Sequence, residues 1–408
     1  MNAPIVKIRH KGMRALASAA IGLLLMGGTT TQAYADGTRS QQWFLDAMHA
    51  EEMWRTSTGR GVTVAVIDSG VDWNNPDLKG QVLKGKDLAP ASRGGDEHTD
   101  FEGHGTGMAG LIAGTGAYGG GKGAFGLAPG TKILPVRLPG EHDGNPFAGP
   151  SYISKAIRYA VDAGARVINI SRASTVGSPE LTAAVKYALK QDSLIFAGVG
   201  NDGDKGNPIE YPGATPGVVG VAAVGKDLRR SSFSEYGPQV DIAAPGQDMV
   251  HACGGKTGLC KTEGTSDATA LASASAALIW SVHPDWTNNQ VLRVMLNTAG
   301  GPTNGAKRND SIGYGIVRPR IALQSPGDPG PADVYPLPDF AQTASKPPSP
   351  GAVASKGSAG SNDARAAEAS PKGGDGSTLW IGVGIGALVL VGGAATAWAV
   401  SRRRRSVG

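Results

Sequence analysis

Four polar residues stand where α/β proteins gather reactive groups, just beyond buried strands and at the starts of helices. Asp68 follows the apolar run Val64–Ile67, Asn201 follows a second such run, and Ser266 directly precedes a long apolar helix. His104 stands between glycines in Gly-His-Gly-Thr-Gly, so other strands can approach its backbone closely. An acid, an imidazole, a hydroxyl and an amide are the groups that activate a nucleophile and stabilise an oxyanion.

Each of these residues alone has a simpler interpretation. Asp68 could equally bind a metal ion or a ribose, and Asn201 could be a turn residue that ends a strand. His104 alone is better explained as a hydrogen-bonded residue at a helix start, and Ser266 alone as an ordinary N-cap. Only their combination, an acid, then a histidine, then an asparagine and a serine, favours catalysis.

Together the four residues resemble the subtilisin-like serine proteases, whose triad runs in the order Asp, His, Ser along the chain. The resemblance covers roughly residues 55–323. The matching segments are Val-Ile-Asp68-Ser-Gly-Val, Gly-His104-Gly-Thr, Gly200-Asn201 and Gly264-Thr265-Ser266.

This resemblance implies a serine endopeptidase (EC 3.4.21.-) that acts on protein or peptide substrates and needs no cofactor. Ser266 would attack the peptide carbonyl, and His104 would take its proton and pass it to the leaving amine. Asp68 would orient the imidazole and stabilise the imidazolium. Asn201, with the backbone N–H of Ser266, would stabilise the oxyanion.

The elements that position these residues alternate between strands and helices, which predicts a three-layer α/β protein with a mainly parallel central sheet. The resemblance makes this a subtilisin-like fold. Continuous apolar runs, typical of parallel strands covered on both faces, occur at Thr63–Ile67, Ile133–Val136, Arg166–Ile170, Leu194–Ala197 and Val218–Val224. Helical patterns occur at Ser151–Ala163, Ser178–Gln191, Ser266–His283 and Asn288–Thr298.

Both ends of the chain predict membrane targeting. The N-terminal end has four basic residues, the uncharged apolar run Ala15–Met26 and the small-residue pattern Ala33-Tyr34-Ala35, as in a secretory signal peptide. Near the other end, Leu379–Val400 is long and apolar enough to span a bilayer, and four arginines follow it. Because basic flanks stay in the cytoplasm, we expect a single-pass protein of the cell membrane whose catalytic domain is extracellular.

The predicted organisation therefore has six segments. The stretch before the span is rich in Pro, Gly and Ser and has few large apolar residues, so we expect a disordered stalk. The segments are a signal peptide at 1–35, a short N-terminal extension at 36–61, the peptidase domain at 62–323, the stalk at 324–377, the transmembrane helix at 378–401 and a basic cytoplasmic tail at 402–408.

Composition excludes one class of function and predicts one covalent link. The formal net charge of +5 comes from the two ends, so the body has no basic excess and we expect no nucleic-acid partner. Cys253 and Cys260 are the only cysteines, and outside the cell we expect a disulfide between them, with two free thiols as the alternative. The acidic stretch 96–102 has no recognisable ligand spacing, so it is interpreted as a solvated loop and no metal site is assigned.

Three features depart from the common subtilisin pattern. Asp267 follows the serine where most relatives have Met-Ala and then a proline. Its charge would favour the imidazolium and oppose the oxyanion, although an acid in the first turn also stabilises a helix. Arg172 stands where relatives continue with leucine and glycines, so primary specificity does not carry over. The extension 36–61 is too short for a prosegment domain, and we expect it to wrap the body rather than inhibit it.

The short extension, the Pro-rich stalk and the C-terminal span together resemble the mycosins, proteases associated with type VII secretion systems of actinobacteria. This closer resemblance implies cleavage of secreted proteins at the outer face of the membrane and support of a membrane secretion complex. The alternative is a weakly active or inactive scaffold of the same fold that stabilises such a complex. Asp267 is the main residue in favour of that alternative.

Overall fold

The computed structural model describes residues 37–140, 149–253 and 258–340. The predicted signal peptide, the stalk beyond residue 340, the transmembrane helix and the basic tail lie outside these ranges. Within these ranges, none of the helices combines the length and the hydropathy that crossing a bilayer requires.

A parallel sheet forms the centre of the domain. Its strands are β1 Thr63–Asp68, β2 Lys86–Asp87, β3 Lys132–Arg137, β4 Val167–Ile170, β5 Leu194–Gly198, β6 Val219–Val224 and β7 Ile242–Pro245. Five of them, β1 and β3 to β6, coincide with the apolar runs of the sequence. Their order across the sheet is β2-β3-β1-β4-β5-β6-β7, and all neighbours run parallel. Strands β4, β6 and β7 are buried along their whole length, because helices cover both faces of the sheet.

The helices form the two outer layers. They are α1 Trp43–Ala47, α2 Ala50–Met53, α3 His104–Ala113, α4 Gly149–Asp162, α5 Pro179–Lys190, α6 Thr265–Val282, α7 Asn288–Thr298 and α8 Pro319–Gln324, with helical turns at Thr38–Gln41, Ala91–Arg93 and Tyr118–Gly121. Helices α3 and α6 share one hydrophobic core, which includes Met108 and Leu271. Helices α4 and α5 share the core on the opposite face, which includes Ile157 and Val185. The predicted three-layer α/β architecture is therefore present.

A small antiparallel hairpin lies beside the sheet. It consists of β8 Met249–Ala252 and β9 Leu259–Thr262, and His251 is paired with Cys260 in its register. The predicted disulfide between Cys253 and Cys260 is present and closes this hairpin. Neither strand was predicted from the sequence, because β9 is only partly buried and carries no continuous apolar run.

The N-terminal extension packs into the body. Phe44 and Leu45 are fully buried in the same core as α3 and α6. The side-chain amide of Gln42 donates to the carbonyls of Phe125 (2.8 Å) and Val250 (3.0 Å) and accepts from the N–H of Phe125 (3.0 Å). The extension is thus bound by hydrogen bonds as well as by its apolar side chains.

Residues 325–340, which by their composition are expected to belong to the stalk, contact the domain. Leu337 is fully buried, and the hydroxyl of Tyr335 donates to the carbonyl of Gly217 (2.8 Å). Arg293 on α7 donates to the carbonyls of Pro329 (2.6 Å) and Pro331 (3.0 Å). These carbonyls face the guanidinium group of Arg293, so this stretch packs on the domain despite its proline-rich composition.

Candidate active site

Asp68 is the last residue of β1, and its side chain is fully buried. The N–H of Ser69 donates to its Oδ1 (2.7 Å). The neighbouring chain approaches closely, since a Cβ on Gly105 would lie only 2.2 Å from the carbonyl oxygen of Gly70 and 3.0 Å from the Cβ of Asp68. This explains why the histidine motif is rich in glycine: a side chain there would push α3 away from the end of β1.

His104 is the first residue of α3 and faces the carboxylate of Asp68. Its Nδ1 lies 2.8 Å from Oδ1 and 2.9 Å from Oδ2, so Nδ1–H donates to the carboxylate and leaves Nε2 as the basic atom. The charge of Asp68 raises the pKa of His104 and outweighs the opposite effect of burial. Burial acts to raise the pKa of Asp68, but His104 and Arg172 outweigh it, so that pKa is lowered.

Ser266 and Asn201 meet at the first turn of α6. The N–H of Thr265 donates to Oδ1 of Asn201 (2.8 Å), and so does its hydroxyl (3.1 Å). With Oδ1 held in this way, the Nδ2 group of Asn201 is left to donate elsewhere. The N–H of Ser266 belongs to the first turn, where helix amides have no intrahelical acceptor. The Nδ2 group of Asn201 and the N–H of Ser266 are therefore two donors at the start of α6.

These residues share one cleft with a volume of about 660 Å³. His104, Asn201 and Ser266 line it, whereas Asp68 lies behind His104. Among the described residues no hydrogen bond joins Ser266 to His104. Arg172 also lines the cleft, where it forms an ion pair with Glu102 and places Nε 3.4 Å from Oδ1 of Asp68. The arginine thus adds positive charge next to the Asp68–His104 pair.

The sequence does not predict the partners of Asp267 or the buried carboxyl group of Glu235, both of which lie close to this cleft. Asp267 contacts Thr262, which in turn contacts His251, so the carboxyl group beside the serine has partners from the β8–β9 hairpin. Glu235 is fully buried behind Gly200, the residue before Asn201, and its carboxyl oxygens have no hydrogen-bond partner among the described residues. Neither contact has a local signal in the sequence, because each joins segments that meet only in the folded chain.

The acidic loop offers one cluster that could hold a cation. Ligand atoms of Asp96, Glu97 and His98 lie within 4.8 Å of one another. All three already have protein partners, since Asp96 accepts from Thr99, Glu97 accepts from the N–H of Gly85, and His98 contacts the carbonyl of Leu83. The loop is therefore explained by its own hydrogen bonds.

Comparison with known proteins identifies relatives over the whole catalytic region. The model of the Subtilase family matches residues 59–315, more than half of the chain. Fervidolysin from Fervidobacterium pennivorans is 30% identical over 327 residues, which are 73% of this chain and 46% of fervidolysin. The chain thus spans less than half the length of that relative.

Two solved structures are similar in both fold and sequence. MycP1 from Mycobacterium smegmatis has a TM-score of 0.61 and 27% identity, covering 72% of this chain and 86% of MycP1. The MycP3 protease from the type VII (ESX-3) secretion system has a TM-score of 0.58 and 32% identity, covering 69% of this chain and 87% of MycP3.

Proposed function

The chain belongs to the subtilase family of serine proteases, and from that premise we propose that it is an endopeptidase with the triad Asp68, His104 and Ser266. The observation that carries this proposal is the cleft in which His104 donates through Nδ1 to the carboxylate of Asp68 while Ser266 and Asn201 line the same cleft. The subtilisin-like fold and the family resemblance inferred from the sequence are confirmed by the match of residues 59–315.

The chemistry follows from the positions of donors and acceptors. Nε2 of His104 takes the proton of Ser266 as its Oγ attacks the peptide carbonyl, and later gives that proton to the leaving amine. Asp68 fixes the tautomer of the ring and stabilises the imidazolium that forms. Nδ2 of Asn201 and the N–H of Ser266 donate to the oxyanion of the tetrahedral intermediate. Water then hydrolyses the acyl-enzyme by the same steps.

The raised pKa of His104 sets the acidic limit of this reaction. The base must be neutral to accept the serine proton, so activity falls as the pH drops through a value above 6.5. The same shift stabilises the imidazolium once it has formed, because the charge of Asp68 favours the protonated ring. The Asp68–His104 pair therefore stabilises the transition state, and the same raised pKa lowers activity at acidic pH.

We further assign the enzyme to the outer face of the cell membrane, where it would cleave secreted proteins in a type VII secretion system. The support is its similarity to MycP1 and MycP3, of which MycP3 comes from the ESX-3 system. The signal peptide 1–35 and the transmembrane helix 378–401 predicted from the sequence add to this assignment. A scaffold role in the same complex is the second candidate, and the carboxyl group of Asp267 beside the nucleophile is the observation that favours it.

Labelling with a fluorophosphonate probe tests the catalytic part of the proposal. The full chain in detergent is expected to form a covalent adduct that is lost in Ser266→Ala. The matched control is Ser281→Ala, which removes a hydroxyl from the other end of α6 and is expected to keep the adduct. A folded wild-type chain that the probe does not label would refute the endopeptidase and leave the scaffold.

A further inference from the structure

A second set of buried polar side chains lies directly behind the nucleophile. His251 on β8 and Asp267 on α6 are each about 2% exposed. The hydroxyl of Thr262 on β9 lies between them, 2.7 Å from Nε2 of His251 and 2.6 Å from Oδ1 of Asp267. The histidine and the carboxyl group are themselves 3.6 Å apart. The hydroxyl therefore joins the two groups into one hydrogen-bonded chain.

The backbone fixes the His251 end of these hydrogen bonds. Nδ1 of His251 lies 2.7 Å from the carbonyl of Ala252, and a carbonyl can only accept, so Nδ1 carries a proton. Gly107 of α3 allows the ring to pack here, since a Cβ at that position would lie 2.6 Å from its Cε1. The ring is thus held in one orientation, with Nε2 directed at Thr262.

Only two arrangements of the protons give every group from His251 to Asp267 a matching hydrogen-bond donor or acceptor. In the first, His251 is neutral, Thr262 donates to its Nε2, and the carboxylic acid of Asp267 donates to the hydroxyl of Thr262. In the second, an imidazolium donates to Thr262 and Thr262 donates to an ionised Asp267. The two arrangements hold the same number of protons and differ only in which bonds those protons occupy.

We propose that His251, Thr262 and Asp267 form a relay that keeps the carboxyl group beside Ser266 protonated and neutral while the enzyme works. The proposal rests on the proposed function, because it concerns the charge next to the nucleophile. Two buried charges are costly even when a hydroxyl bridges them. Burial accordingly raises the pKa of Asp267 and lowers the pKa of His251, so both shifts favour the neutral arrangement.

The relay has a consequence for catalysis. An ionised Asp267 would oppose the oxyanion that forms at Ser266, whereas a protonated Asp267 does not. Among the described residues, the charged groups that influence the relay are its own members and His104. The relay also ties the disulfide-closed hairpin to the first turn of α6. His251, Thr262 and Asp267 thus act as positioning residues through that turn.

The protonation of His251 can be measured without any activity. The full chain carrying Ser266→Ala is labelled with ¹⁵N-histidine in detergent, and the signal of His251 is identified by its loss in His251→Gln. At pH 7 we expect the chemical shifts of a neutral ring with its proton on Nδ1. An imidazolium at pH 7 would overturn the relay, whatever the outcome of the fluorophosphonate experiment.

The pH profile of peptide hydrolysis gives a second test. The amide of Asp267→Asn can donate to Thr262 as the protonated acid does, so the midpoint of the acidic limb should stay where it is. A charged Asp267 raises the pKa of His104, so a midpoint that moves to lower pH in this variant would refute a neutral acid.

The relay hydroxyl has its own matched pair of variants. Thr262→Val should lower kcat about tenfold while KM stays nearly constant, because one hydrogen bond to the first turn of α6 is lost. Thr262→Ser keeps the hydroxyl and should retain most of kcat. A Thr262→Val variant that keeps its kcat while Thr262→Ser loses it would mean that packing of the methyl group, and not the hydroxyl, matters at this position, and would overturn the relay.

Discussion

Replacing Glu235 with glutamine should change how stability depends on pH. The side chain is fully buried, and neither carboxyl oxygen has a hydrogen-bond partner among the described residues. Burial, with a smaller contribution from Glu210, raises its pKa to about 7. Its backbone N–H donates to the carbonyl of Gly200 (3.1 Å), immediately before Asn201. The glutamate is therefore protonated in the folded protein at pH values where it is ionised in the unfolded chain.

The sign and size of the effect follow from this difference. Below pH 4.5 the carboxyl is protonated in both states and contributes nothing. As the pH rises to about 7, only the unfolded chain loses the proton, so the folded state becomes less stable. Between pH 5 and pH 8 the unfolding free energy should fall by about 2.5 kcal/mol from this one group. Glutamine cannot ionise, so the variant should escape that loss.

Urea denaturation at pH 5, 6, 7 and 8 measures this dependence in the Ser266→Ala background, which avoids self-digestion. The quantity compared is the slope with pH, because an amide that lacks partners changes stability by a constant amount. Glu263→Gln, at an exposed acid, controls for the loss of one surface charge. Parallel curves for Glu235→Gln and its parent would show that Glu235 is not held protonated, and the reasoning from its burial would be wrong.

Three further predictions follow from the site. Asn201→Ala should lower kcat by about 10²–10³ with little change in KM, since one of two oxyanion donors is lost; steady-state hydrolysis of a peptide substrate checks this. Asp68→Asn should lower kcat by about 10⁴ through the wrong tautomer of the ring, and the same assay checks it. The double change of Cys253 and Cys260 to serine should lower the unfolding free energy by about 2 kcal/mol, as measured in urea.

Most of the central sheet could be predicted because five of its strands are continuous apolar runs. The run Thr63–Ile67 coincides with β1 to within one residue, and Leu194–Ala197 coincides equally well with β5. Strand β7 is not predictable in this way, because Ile242–Pro245 ends in proline and its pattern does not stand out from a loop. Its place is fixed instead by pairing with β6. A strand of this kind is specified by its neighbour more than by its own residues.

Only the parts of the site that lie in recognisable sequence motifs could be predicted. The order of Asp68 and His104 along the chain is distinctive enough to pair them from the sequence, and the hydrogen bonds between them agree with that pairing. The sequence shows Asp267 only as a charge beside the serine. Its partners lie on β8 and β9, and nothing in their spacing indicates that His251 approaches the start of α6. The chemistry of that carboxyl group is thus a property of tertiary contacts.

Residues 37–61 of the extension pack as an integral part of the domain. Phe44 and Leu45 are fully buried, so removing the segment would expose apolar surface that the core now covers. Gln42 joins Phe125 and Val250 through three hydrogen bonds of one side-chain amide, and Val250 lies on β8, beside His251 of the relay. None of the described residues of this segment lines the cleft. The extension therefore supports the β8–β9 hairpin, which contacts the residue next to Ser266, and leaves the cleft open.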